Sequence, residues 1–264
     1  GAALGTVIAA AFTIGLYALF YFNPVHAARF RVRESFRFDG GILRRFLRLG
    51  FPSGLEVFIG VGTFNLFLLL YQSYGVAEGA AMAIVFNWDM LSFVPLMGLN
   101  IAVMSLIGRY VGAGDLSRAT QVISAGLLIG LGYSGVLALC FLLFRVPLLE
   151  VFATPGADFA PILAIGQPMM VGMACYVMAD AVILVCGGTL RGAGDTRWMM
   201  GTSIAVHVAM LLMQLWLILG LAVGPLLSWW GFVATLIANA ILYGWRVLGG
   251  YWRHPDRLAR ALAE

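Results

Sequence analysis

The sequence predicts an all-α, polytopic membrane protein with seven transmembrane helices, and three observations carry that prediction. The chain is 62% hydrophobic and only 11% charged, whereas a soluble domain is roughly half apolar and a quarter charged. Apolar runs of about 20 residues, the length that crosses hydrocarbon, recur along its 264 residues. Almost all arginines fall on one side of the membrane those runs imply.

In chain order the runs lie near 3–22, 51–72, 80–107, 120–144, 159–187, 198–221 and 226–248. Cys140, Cys175 and Cys186 all sit inside them. They read as small hydrophobes and not as a disulfide framework.

Short cytoplasmic loops are enriched in Lys and Arg. Arg29, Arg31, Arg33, Arg37, Arg44, Arg45 and Arg48 crowd the first connection, Arg109 and Arg118 flank the third, and Arg191 and Arg197 the fifth. Arg246, Arg253, Arg257 and Arg260 mark the C-terminal end; Arg145, with Glu78, Glu150 and Asp158, lies opposite. The net charge of +4 is therefore a topology signal and not a nucleic-acid footprint. It places the C-terminus in the cytoplasm of an inner-membrane protein. The chain opens "GAALGTVIAAAFTIGLYALFYF" without an initiator Met or a charged leader. Residues 1–22 accordingly read as the last helix of a truncated upstream lobe, and 23–50 as an Arg-rich linker. In that linker "GGILRRFLRLG" alternates apolar residues with arginines like an interfacial amphipathic helix. Residues 51–250 are expected to hold the six further spans, which the resemblance given below implies are one lobe, and 251–264 a cytoplasmic tail.

"GRYVGAGDLSRA" and "GTLRGAGDTRW" repeat GAGD at two helix ends on the arginine side. Glycine ends one helix, and Asp115 and Asp195 are expected to cap the next. Pro95 with Gly98 interrupts the third span and Pro168 the fifth; each is either a packing kink or a hinge. Gly130, Gly132 and Gly135 predict close helix contacts.

Within the apolar stretches the acidic residues are Glu56, Asp89 and Asp180. A charge at the bilayer centre costs about 2.5–3.5 kcal/mol or more, so such groups face cavities and mark ion paths. At about 1.5 Å per residue, Glu56 and Asp180 both lie roughly 10 Å inside the arginine-side boundary and are expected to share one chamber. Asp89, beside Asn87 in "FNWDMLSF", stands higher, on another wall. Tyr176 is one turn from Asp180 and faces the same way. Asn65, Gln214 and Asn239 read as interhelical hydrogen bonds, His207 as structural, and Trp229, Trp230, Tyr243 and Trp245 as interfacial belt.

The stretches "GFPSGLEVFIGVGTFNLFLLL", "LIGRYVGAGDLSRA" and "YVMADAVILVCGGTLRGAGDT" resemble the second half of a multidrug and toxic compound extrusion (MATE) transporter. The resemblance covers nearly the whole chain and implies one six-helix lobe of a two-lobe MATE-type transporter, with the preceding helix. It further implies export of organic, often cationic compounds in exchange for H⁺ or Na⁺, with no cofactor and no enzyme activity. The implied partners are the lipid bilayer, small organic substrates and the missing N-lobe, with no nucleic acid. Asp180 and Tyr176 match the family's cation site. Many members carry a Glu eight residues after the proline of the seventh helix; here that position is Gly60. Glu56, one turn earlier, or Asp89 is expected to supply the carboxylate. The implied cation, proton and substrate set is Asp180, Glu56, Asp89, Tyr176 and Asn87, with Na⁺ at Asp180, Tyr176 and Glu56. Two rivals have weaker support. A lipid-linked saccharide flippase wants mid-span cations, and no arginine lies mid-span. A seven-helix receptor is open, although without any lysine it holds no retinal Schiff base.

Overall fold

The computed structural model describes residues 2–25, 32, 38–153 and 158–253. Arg29, Arg31, Arg33, Arg37, Arg257 and Arg260 lie outside them. Seven helices among the described residues are long and apolar enough to cross a membrane. They are α1 (Ala2–Tyr21), α2 (Gly40–Gln72), α3 (Val76–Gly112), α4 (Leu116–Leu143), α6 (Ala160–Gly192), α7 (Thr196–Leu215) and α8 (Pro225–Leu248), with a short α5 (Arg145–Glu150) between α4 and α6. A π-helical turn, Trp216–Gly220, extends α7, and a 3₁₀ turn, Tyr251–Arg253, follows α8.

The chain divides into two compact units, Gly1–Phe51 and Pro52–Glu264. In the first, α1 exposes nearly all of its described side chains. The Asp39 carboxylate accepts from Gly41 N (2.7 Å) and Ile42 N (3.1 Å) and starts α2. The expected amphipathic segment is helical, but it is fused to the second span as one 33-residue helix. "GGILRRFLRLGFPSG" contains no run of turn residues able to end it, and Pro52 lacks only one donor.

In the second unit α6 is the central helix: 67% of its span window is buried, against 22–39% for the others of this unit. It packs on α3, α4 and α8. Apolar side chains gain little by leaving lipid for one another, so such helices associate by close fit, which small residues permit. A Cβ on Gly188 would lie 2.7 Å from Asn100 O, and one on Gly192 2.5 Å from Met104 O. The α3 and α6 backbones therefore touch. Gly126 and Gly130 fit α4 against Val103, Leu99, Val185 and Ala181. Gly132, expected to do the same, meets nothing within 4 Å, and Gly135 only Met178 Sδ at 4.0 Å.

Both GAGD loops close identically. Asp115 N donates to Tyr110 O and Gly114 N to Val111 O; Asp195 N donates to Leu190 O and Gly194 N to Arg191 O. Gly114 (φ 74°) and Gly194 (φ 78°) take the left-handed conformation this helix stop requires. The two aspartates then diverge. Asp115 caps α4 by accepting from Arg118 N at 3.0 Å. Asp195 makes no side-chain cap; its Oδ2 accepts from Arg246 Nε at 2.9 Å instead, because α8 brings a buried guanidinium to that loop. Arg246 stacks on Trp198 (4.8 Å) and Tyr251 (4.6 Å).

α3 and α6 are each one continuous helix across Pro95 and Pro168. Other expectations are corrected. Trp229 is fully buried and Tyr243 nearly so, not belt residues; Trp230 and Trp245 are more exposed. Trp229 Nε1 donates to Met169 O, one residue past Pro168, and Gly172 leaves room for its indole. Gln214 and Ser228 join α7 to α8 in both directions. Asn65 is exposed and bonds only within its own helix, to Val61 O.

Candidate functional site

The site grows from the α3–α6 crossing. The Asn100 amide donates to Leu184 O, and the contacts of Asn100 with Gly188 and of Met104 with Gly192 pair residues 88 apart in sequence. The same offset along two parallel helices brings Asp89 level with Val177, between Tyr176 and Asp180. These three side chains come within electrostatic range of one another.

Asp180 is 9% exposed and Tyr176 1%. Among the described residues, Asp180 makes no hydrogen bond or ion pair. The Tyr176 hydroxyl and the Asp89 carboxyl interact, yet the hydroxyl and Asp89 Oδ1 are each buried without a hydrogen bond of ordinary geometry. Tyr176 is aimed by edge contacts with Trp229 (6.1 Å) and Phe232 (5.9 Å) on α8. Chemically this is two carboxyls and a phenol in an apolar wall. Like charges so placed repel, and a proton or a cation between them relieves the repulsion.

Glu56 is elsewhere. Its Oε1 accepts from Arg191 Nη2 at 3.1 Å, and Arg191 lies 11 residues beyond Asp180 on α6, about 16 Å along the axis. The expected chamber shared by Glu56 and Asp180 is not formed. The depth of Asp180 counted from the predicted span was too small because α6 runs on to Gly192, which leaves Arg191, and not Asp180, at the level of Glu56. Asn87 also stays out; it is exposed and donates to Ala83 O of its own helix. Among the described residues no three His, Cys, Asp or Glu side chains gather as a metal centre, and the set Asp180, Tyr176 and Glu56 is not assembled for Na⁺.

Sequence reasoning missed Arg191 as the partner of Glu56, since a helix-end arginine reads as a topology marker. It also missed Trp229 as the support of Tyr176. The i, i+4 spacing of Trp229 with Val233 on α8 was the available signal.

Fold and site together define a multi-pass α-helical membrane protein with one buried and one half-buried carboxyl in its central helix pair. The chain belongs to the MatE family, whose family model matches residues 52–216. It is 30% identical over 212 residues to the probable multidrug resistance protein NorM of Pasteurella multocida (strain Pm70), covering 76% of this chain and 43% of that protein. To the probable multidrug resistance protein NorM of Thermotoga maritima it is 27% identical over 268 residues, covering 98% of this chain and 55% of that one. Among solved structures, a MATE crystal structure in the bent conformation superposes with a TM-score of 0.74 at 16% identity, covering 95% of this chain and 54% of that one. The MATE transporter ClbM in complex with Rb⁺ gives a TM-score of 0.64 at 22% identity, with coverages of 86% and 50%. The chain spans about half the length of the curated relatives it matches.

Proposed function

We propose that this chain is the carboxylate-bearing lobe of a cation-coupled antiporter that exports organic, often cationic compounds, working with a second lobe that its relatives' greater length supplies. The observation that carries the reading is the placement of Asp89, Tyr176 and Asp180 together at the α3–α6 crossing, with two oxygen atoms left without partners. Asp89 thus takes the part of the second carboxylate, and Glu56 and Asn87 drop out of the ion site. The driver is H⁺ or Na⁺. Either one competes with a cationic solute for the same two carboxyls, and antiport follows if the driver favours one lobe arrangement over the other, since equal affinity for both shifts nothing. The arginine-bearing face is the cytoplasmic one in this reading.

The test is dye efflux from vesicles containing the two-lobe protein under an imposed pH or Na⁺ gradient. Asp180→Asn and Asp89→Asn are each expected to lower the gradient-driven rate by about 10²-fold, the order for loss of a group that handles a proton. Asn87→Ala is expected to leave it within about twofold. Undiminished efflux in Asp180→Asn removes the assignment.

A further inference from the structure

Among the described side chains of α2 the buried ones are Glu56, Thr63, Phe67 and Tyr71, a stripe with Gly60 in its line. Its two halves are held differently. Toward the far end Phe67 stacks on Phe232 at 4.9 Å and 11°, and the Tyr71 hydroxyl donates to Pro225 O at 3.2 Å. Toward the arginine-bearing end nothing apolar is buried among the described α2 residues. Thr63 bonds only its own helix, Gly60 leaves the space that the His207 ring fills, and the one strong tie is Glu56 to Arg191.

That tie stands on a continuous face. Tyr176, Asp180, Gly187 and Arg191 recur at intervals of four, seven and four, so they line one side of α6. Tyr243 packs against Gly187, 3.6 Å from where a Cβ would be. It is within reach of Glu56, Arg191 and Ser203, and Ser203 O accepts from His207 Nδ1 at 2.7 Å. A polar band thus runs from the ion pair toward the level of Asp180, on helices that are otherwise apolar. The pair itself is asymmetric: the Arg191 side chain is 26% exposed and that of Glu56 9%. The guanidinium meets solvent and the carboxylate is the buried member.

We infer that the Glu56–Arg191 ion pair is a gate across the arginine-bearing end of this face, and that its opening admits water and ions to Asp89 and Asp180 from that side. The inference deepens the antiport reading and rests on it for what passes the gate. A charge-held seam suits the task, because removing one partner of a buried pair is costly unless the other finds new partners. Here water reaches Arg191, whose side chain is partly exposed, so a parted guanidinium is solvated at once. An apolar seam offers no such exchange.

The test needs neither gradient nor substrate, so its outcome is separate from that of the efflux assay. Asp180→Cys serves as reporter with Cys140, Cys175 and Cys186 changed to Ala. A membrane-impermeant maleimide is added to sealed vesicles that present the arginine-bearing face outward. Slow labelling is expected with the pair intact, and labelling faster by about tenfold, the ratio for about 1.4 kcal/mol, in Glu56→Gln and in Arg191→Gln. The charge-swapped double variant Glu56→Arg, Arg191→Glu is expected to return to the slow rate, which distinguishes a lost pair from a damaged fold. Equal rates across the intact and single variants overturn the gate. So does a swapped variant that labels as fast as the singles.

Discussion

At Gly188 and Gly192 a single added methyl group would meet backbone oxygen, and backbone cannot rotate away as a side chain does. Gly188→Ala and Gly192→Ala are each expected to lower the stability of the chain by about 1–3 kcal/mol, the usual cost of overpacking, and to loosen the crossing that sets Asp89 beside Tyr176. Gly132→Ala, where nothing lies within 4 Å, is expected to be neutral or to stabilise by up to about 1 kcal/mol through helix propensity. Thermal melting of the purified variants in detergent checks all three. Asp180 was legible in the sequence because a carboxylate inside an apolar run stands out whatever its partners are, and Tyr176 followed from spacing alone. Glu56 was visible for the same reason but its surroundings were not. Whether such a group meets a guanidinium or another carboxyl depends on how far neighbouring helices extend, and no local pattern encodes that.

Between elements, the GAGD loops separate what repeats from what does not. Their helix stops were legible, since glycine past a helix end has one common use. The division of labour between Asp115 and Asp195 was not, because it depends on a guanidinium 51 residues away. Arg246→Ala removes a charge-assisted bond to the Asp195 carboxylate, which is 8% exposed, and is expected to cost about 1.5–3 kcal/mol. Arg246→Lys is expected to recover only part of that, since an ammonium cannot stack flat against Trp198 and Tyr251 as a guanidinium does. Asp115→Ala removes a cap beside an exposed pair and is expected to cost about 0.5–2 kcal/mol. The order of the three melting temperatures, with Arg246→Ala lowest, checks the assignment.

For the molecule as a whole, the number and order of spans were legible because hydrocarbon thickness forces a run length that composition cannot hide. Helix ends were not, since nothing apolar marks where a helix stops beyond the bilayer. The described residues of the second unit bury two apolar clusters, each drawing on α3, α4, α6 and α8. On the antiport reading proposed above, the chain expressed alone is expected to melt cooperatively in detergent while giving no gradient-driven efflux in vesicles until a second lobe is supplied. The 37 residues of α3 also amount to a rod of about 55 Å, against a hydrocarbon slab of about 30 Å. Fastened to α6 at Asn100 and Met104, it behaves as half of a stiff two-stranded beam. A tilt of roughly 10° about its middle, some 28 Å from either tip, sweeps the outer ends through about 5 Å. Small rotations at the carboxyl level are thereby magnified where the beam protrudes into water.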